Sequence, residues 1–251
     1  MEKLFIYLVV GFVAQMIDGA LGMAYGVSST TFLMSVGVSP AMASASVHVS
    51  EMFTTAVSGI SHLKLGNVDK ALFKKLVIPG ILGGALGAYI LTSLPGGMIK
   101  PLVSLYLLAM GCRILYKAFT TPEPREDFQG RWMVPLGAVG GFFDAIGGGG
   151  WGPIVTTTLV ASGGTPRRVI GSVNFAEFFV TIAESATFVL VLGSELAQRW
   201  PVILGLLLGG MLAAPLAAYA CKKLPAKTLM GIIGTVIILL SLRTVYLAWG
   251  R

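Results

Sequence analysis

Charged residues are scarce in this chain. Of its 251 residues, 12% are charged and 55% are hydrophobic, whereas soluble domains usually carry about 25% charged residues. So little charge argues against both a soluble globular domain and a disordered chain, because a water-facing surface needs polar cover. At about 20 residues per membrane-spanning helix, the length allows roughly eight apolar segments and no separate soluble domain.

Cysteines are few and a nucleotide-binding motif is missing. Cys112 and Cys221 lie in unrelated places without metal-ligand spacing, so we interpret them as packing residues and predict no cofactor and no metal site. No Gly-Lys-Ser or Gly-Lys-Thr follows a glycine run, so ATP-driven transport would need another subunit. The net charge of +7 comes from Lys and Arg in short gaps between apolar runs, which predicts cytoplasmic loops beside a lipid bilayer and no nucleic acid as partner.

Long apolar runs fill the rest of the chain. Backbone groups in lipid must pair within a helix or a closed barrel, and the ten-residue alternation of a barrel is missing. We therefore predict an all-α, polytopic membrane protein. The runs cover residues 4–63 (divided by a turn signal at 38–40), 76–92, 98–118, 132–162, 168–192, 201–220 and 227–249.

The two halves of the chain repeat each other. With the second half placed on the first, Asp18 matches Asp144 and Glu51 matches Glu177 in one register. Chance likeness of two apolar sequences explains matched Gly and Leu, but not matched Asp, Glu, Pro and Arg. We predict a first membrane repeat at 1–119, a polar linker at 120–131 and a second repeat at 132–251. The start resembles a signal peptide, but as part of the repeat it should belong to the mature fold.

The first segment of each repeat is too long for one membrane helix. Residues 4–36 would span about 50 Å as a helix, against a hydrocarbon core of about 30 Å. The run Gly147–Gly150 cannot sustain a helix, so we predict two half-helices and an unwound tip in each repeat. We name residues 22–26 the first tip and 148–152 the second tip. The Lys and Arg distribution slightly favours re-entrant hairpins plus three crossings, hence inverted repeats, over four full crossings.

The glycine tips are the first candidate site. Unwound glycines expose backbone N–H groups, and a helix N-terminus carries about half a positive charge, so two facing tips would bind a small anion. Tight helix packing is the alternative for the glycines, as it is for the rings of Tyr25 and Trp151. Hydroxyls such as Thr30 and Thr157 either donate to the anion or bond back to their own helix. The substrate-binding candidates at the tips are Gly22, Met23, Tyr25, Gly26, Gly148, Gly149, Gly150, Trp151 and Gly152.

A second candidate site follows each tip along the chain. The sequences Ser46-x-His48-x-x-Glu51 and Ser172-x-Asn174-x-x-Glu177 occupy matched positions, and residues three apart share a helix face. Ionisable groups within a membrane usually face a cavity. We predict substrate binding by the Ser, His and Asn side chains, namely Ser46, His48, Ser172 and Asn174.

The charges deep in the apolar runs are all acidic, which conflicts with an anion site unless the carboxyls carry protons or a cation. We assign proton coupling or gating to the four matched carboxyls, while helix capping by the two Asp side chains stays open. The assigned residues are Asp18, Glu51, Asp144 and Glu177, and Glu184 is a fifth buried acid. A cation or proton-coupled metal transporter is the alternative function. A zinc site at His48 is disfavoured because the second copy has Asn, and an intramembrane serine protease because the second copy lacks the serine.

The second half resembles the TauE/SafE family of sulfite and organosulfonate exporters. Its residues 140–153 read Gly-Gly-Phe-Phe-Asp-Ala-Ile-Gly-Gly-Gly-Gly-Trp-Gly-Pro, which is similar to the glycine-rich signature of that family, and the likeness covers nearly the whole chain. The first tip departs from it, with Gly-Met-Ala-Tyr-Gly. The resemblance implies a permease, not an enzyme. It implies that a small sulfur-containing anion (sulfite, sulfoacetate or another sulfonate) moves, usually outward, across a bacterial or archaeal cytoplasmic membrane. A monomer and a homodimer both stay open.

Overall fold

The fold consists of helices and their connections. The computed structural model describes residues 2–21, 23–120, 130–220 and 226–249, and no strand occurs within these ranges. The all-α prediction is confirmed. The helices are α1 (Glu2–Leu21), α2 (Tyr25–Ser35), α3 (Pro40–Lys64), α4 (Lys70–Ser93), α5 (Gly96–Lys117), α6 (Met133–Gly147), α7 (Thr157–Ala161, preceded by a π-helical turn at Gly152–Thr156), α8 (Pro166–Ala197), α9 (Trp200–Ala220) and α10 (Ala226–Trp249).

The outer surface is apolar, as expected of a protein surrounded by lipid. Leu82, Leu190 and Tyr246 are among many large hydrophobic side chains that stand more than half exposed. Three helices of the described ranges are long and apolar enough to cross a membrane by length and composition: α4, α5 and residues 167–197 of α8. Shorter apolar stretches lie within α1, α6, α9 and α10.

Both predicted breaks are present. The chain leaves α1 at Leu21 and enters α2 at Tyr25, and Ala24 between them has a left-handed φ of 96°. In the second half α6 ends at Gly147, and Gly148 and Gly149 follow with φ of 65° and 141°. These angles suit glycine and cost an L-residue free energy. Gly22 lies outside the described residues.

Close helix contacts hold the broken segments against unbroken ones. Helix α6 packs on α4, where a Cβ at Gly83 would collide with the carbonyl oxygen of Ala138. Helix α1 packs on α9 in the same manner, and there a Cβ at Gly209 would collide with the carbonyl oxygen of Leu8. Small residues thus let the backbones approach, which is the usual way helices associate in membranes.

Helices α3 and α8 cross the centre of the molecule in opposite directions. His48 of α3 lies beside Glu184 of α8, Thr55 lies 3.5 Å from Thr181 between hydroxyl oxygens, and Ser58 contacts Asn174. As numbers rise along α3 they fall along α8, so the two helices are antiparallel.

Candidate functional site

The two tips touch each other. The Thr30 hydroxyl of α2 donates a hydrogen bond of 2.6 Å to the carbonyl of Gly148 in the second tip. A Cβ added at Gly26 would lie 2.5 Å from the Cα of Gly149, so there the two backbones are in direct contact. The tips therefore meet as the sequence predicted, and α2 and the π-helical turn begin beside one another.

A narrow pocket of about 10 Å³, with room for about one water molecule, lies where the tips meet. Its wall combines backbone from both tips with the four buried carboxyl side chains that were assigned to coupling or gating. The lining residues are Asp18, Ala24, Gly26, Val27, Glu51, Asp144, Gly149, Gly150, Gly152, Pro153 and Glu177.

The two Asp side chains cap the helices that follow the tips. One oxygen of Asp144 accepts hydrogen bonds from the backbone N–H groups of Gly150 (2.5 Å) and Trp151 (2.9 Å). Asp18 accepts one, at 3.4 Å, from Tyr25. Some amide hydrogens that were predicted to face an anion are thus taken by carboxylates. Because first-turn N–H groups have no acceptor within their own helix, Gly26 and Val27 of α2 are pocket-lining residues with such an N–H group.

Several tip residues pack instead of lining the pocket. The Tyr25 hydroxyl donates to the carbonyl of Leu206, and the Trp151 ring N–H donates to the carbonyl of Val173, both at 3.1 Å. Both rings and Met23 are buried in the core. The structure therefore gives Met23, Tyr25 and Trp151 packing contacts, because their polar atoms already have backbone partners or none to offer, and substrate binding by them stays a prediction. Gly148 serves the contact between the tips.

All four polar candidates after the tips, His48 included, lie outside the pocket wall, and the other three have structural roles or no partner. The Ser172 hydroxyl donates to the carbonyl of Arg168 at 2.7 Å and accepts from the N–H of Asp69 at 2.7 Å, so it ties α8 to the start of α4. Asn174 accepts a 2.8 Å hydrogen bond from Ser58. Ser46 is buried and its hydroxyl has no hydrogen-bond partner. The structure therefore places Ser46, Ser172 and Asn174 outside the wall of the pocket between the tips.

Hydroxyls after the tips divide between the two predicted roles. Ser28 bonds back to the carbonyl of Ala24, and Thr31 to that of Val27, each at 2.6 Å. Thr157 bonds back to Pro153, but it also accepts a 2.8 Å hydrogen bond from Nε of Arg113. Most of these hydroxyls thus support the helix, and Thr30 alone of those named here bridges the two tips.

His48 belongs to a buried cluster that includes an acid from the second half. Its Nε2 lies 2.9 Å from Oε2 of Glu184 and 3.6 Å from Oδ2 of Asp144. Its Nδ1 lies 2.8 Å from the carbonyl oxygen of Ser44, which can only accept a hydrogen bond from Nδ1. The side chains of His48, Asp144 and Glu184 are 0–2% exposed.

The cluster gives Glu184 a place that the sequence did not assign. The repeat could not have found it, since the matched position is Ser58; burial within an apolar run was the available signal. The nitrogen and carboxylate oxygens of the three side chains all lie within 4.8 Å of one another, a spacing at which a bound ion is one explanation. The 2.9 Å between Nε2 of His48 and Oε2 of Glu184 is the distance of an ion pair, although neither atom makes a hydrogen bond of good geometry, so a proton on this pair explains the contact.

Comparison with known proteins agrees with this membrane architecture. The family described as "Sulfite exporter TauE/SafE" matches residues 7–244. A "Probable membrane transporter protein YtnM" of Bacillus subtilis (strain 168) is 43% identical over 255 residues, covering 99% of this chain and 85% of the relative. A "Probable membrane transporter protein" of Haemophilus influenzae is 27% identical over 223 residues, covering 86% and 84%. No solved structure matches. The chain is a multi-pass membrane transporter and belongs to the Sulfite exporter TauE/SafE family.

Proposed function

We propose that the protein moves a small sulfur-containing anion (sulfite, sulfoacetate or another organosulfonate) outward across the cytoplasmic membrane. The observation that carries this proposal is the pocket between the tips, where α2 and the π-helical turn both begin. Helix N-termini attract anions without a cationic side chain. The family description supports the choice of a sulfur oxyanion.

We also propose that the two halves are inverted repeats with re-entrant tips. With four crossings in each half, α3 and α8 would run parallel; with three they run antiparallel, as their contacts do. The end of α2 also supports the hairpin. Re-entrant tips place the ends of α2 and α10 at the same face of the membrane, whereas full crossings place them at opposite faces. Arg243, near the end of α10, donates a 2.5 Å hydrogen bond to the carbonyl of Ser35 at the end of α2. Site location at the meeting of such repeats is common in transporters.

A basic cavity supports an anion as the substrate. It has a volume of about 200 Å³ and is lined by Arg113, Lys117 and Thr157, among others. Thr157 bonds to the carbonyl of Pro153, which itself lines the pocket between the tips. The cavity therefore lies one residue contact away from the pocket, and we propose that it collects anions before they enter.

The carboxyls in the pocket require protons when an anion binds. Glu51 and Glu177 are buried, and one oxygen of Glu51 has no hydrogen-bond partner. Ionised, they would repel an anion; protonated, they could donate a hydrogen bond to it. We therefore propose that Glu51 and Glu177, in their protonated form, gate the pocket by donating to the anion, whereas Asp18 and Asp144 serve first as helix caps.

Flux into vesicles tests the substrate class. Purified protein in liposomes should take up labelled sulfite and methanesulfonate with saturation, and should ignore Na⁺, Zn²⁺ and Mn²⁺. Gly26→Ala should abolish uptake, because the added Cβ would enter the second tip, while Gly231→Ala should not, because nothing lies within 4 Å of that position. Saturable cation uptake without anion uptake would favour the cation-transporter alternative and refute the proposal.

A further inference from the structure

The short contact between His48 and Glu184 requires a proton on one of the two side chains. The carbonyl of Ser44 can only accept, so the nearby Nδ1 carries a hydrogen and the neutral ring would leave Nε2 as a bare acceptor. An ionised Glu184 also only accepts. Two acceptors 2.9 Å apart repel unless the pair holds a proton, on Nε2 or on the carboxyl group.

The surroundings of this pair are acidic. Asp144 of α6 faces His48 at 3.6 Å, and its other oxygen caps the second tip. Further groups that interact electrostatically with the cluster reach it from α1, from α3 itself, from α5 and from α8. They are Asp18, Glu51, Tyr106 and Glu177. Within the described residues this cluster holds no Lys or Arg, so a proton is the charge that the pair itself can gain.

The corresponding contact on the other side of the molecule is neutral. His48 matches Asn174 in the repeat, and Glu184 matches Ser58. These two counterparts also touch, since the Ser58 hydroxyl donates a 2.8 Å hydrogen bond to Oδ1 of Asn174. Both contacts join α3 to α8. The first contact is between ionisable groups, and the second is an uncharged hydrogen bond at the matched positions.

We propose that the His48–Glu184 pair is the proton-binding site through which one proton crosses with each anion, in whichever direction their combined gradients favour. This inference rests on the proposed anion transport. One proton from water binds between Nε2 and Oε2 and removes one negative charge from the cluster, offsetting the charge of an arriving anion. Its release returns a proton to water and leaves two repelling acceptors between α3 and α8. Asp144 transmits the change, because it faces His48 and lines the pocket.

Replacing the pair by its neutral counterpart tests the coupling. With one proton carried per singly charged anion, a pH gradient of about one unit drives about tenfold accumulation of methanesulfonate in liposomes. In the double variant His48→Asn/Glu184→Ser this accumulation should fall to about onefold while exchange of labelled for unlabelled methanesulfonate continues. Ser58→Ala, which alters the neutral contact, should keep the gradient dependence. Full gradient-driven accumulation by the double variant would overturn the proposal.

A second measurement needs no substrate and detects the proton directly. The chain has two histidines, His48 and His62, so ¹⁵N-histidine NMR in a His62→Gln background reports His48 alone. The Nε2 signal should gain and lose a proton with pH in the wild type and in Ser58→Ala. In Glu184→Gln it should stay unprotonated, because the amide N–H₂ now donates to Nε2.

The two measurements separate the possible failures. If neither sulfite nor methanesulfonate is transported but Nε2 titrates as described, the substrate proposal is wrong and the proton site stands. An Nε2 without a proton at every pH, or one whose signal shifts on adding Zn²⁺ alone as a metal replaces the proton, would overturn the proton site. Melting curves of each variant in detergent identify unfolding, and Glu184→Gln, which retains a hydrogen bond, serves if the double variant unfolds.

Discussion

The first and second tips perform the same task with different residues. The second tip has glycines at its left-handed positions and a strong cap, in which Asp144 accepts two backbone hydrogen bonds. The first tip places Ala24 in a left-handed conformation and has one cap bond of 3.4 Å from Tyr25 to Asp18. The second tip is therefore the more firmly capped part of the pocket, and the first tip is the part whose backbone is strained.

The largest expected difference concerns the two capping carboxylates. Asp144→Ala removes two charge-assisted hydrogen bonds and the contact with His48, at a cost of about 3 kcal/mol, whereas Asp18→Ala removes one long bond, at about 1 kcal/mol. Thermal unfolding in detergent should show the larger drop for Asp144→Ala. Glu195→Ala, at an exposed position, serves as the control. Equal drops for both Asp variants would remove the proposed asymmetry.

The next difference concerns two arginines, one in α5 and one in α10, that contact the half-helices following the tips. Arg113 donates to the hydroxyls of Thr157 and Thr158 at 2.8 Å and lines the basic cavity, whereas Arg243 donates to the carbonyl of Ser35. We expect Arg113→Gln to raise the sulfite concentration for half-maximal uptake about fivefold, equivalent to about 1 kcal/mol. Arg243→Gln should leave that concentration unchanged. A larger rise of the half-maximal sulfite concentration for Arg243→Gln than for Arg113→Gln in flux assays would show that the cavity does not collect the anion.

The smallest effect is expected at Ala24. Its φ of 96° is unfavourable for an L-residue, so Ala24→Gly should stabilise the protein by about 1 kcal/mol or less once the chain entropy of glycine is counted. A rise of the melting temperature by a few degrees would agree with strain in the first tip. A fall would mean that Ala24 contributes packing worth more than the strain.

The sequence predicted the broken segments and the convergence of four carboxyls because those features follow from glycine runs and from matched Asp and Glu. It did not predict which side chains would turn inward. Tyr25 and Trp151 satisfy their polar atoms on distant backbone carbonyls, a result of helix packing that no local pattern contains. Glu184 was left without a role for the same reason: its partner His48 comes from the other half of the chain.

The location of the bound anion is the most direct test of the account. In crystals soaked with a bromine-labelled alkyl sulfonate, the anomalous signal of bromine marks the ligand. We predict a peak in the pocket between the tips, beside Gly26, Glu51 and Gly149. A peak confined to the cavity at Arg113, with none between the tips in a protein that transports the same compound, would contradict the central claim.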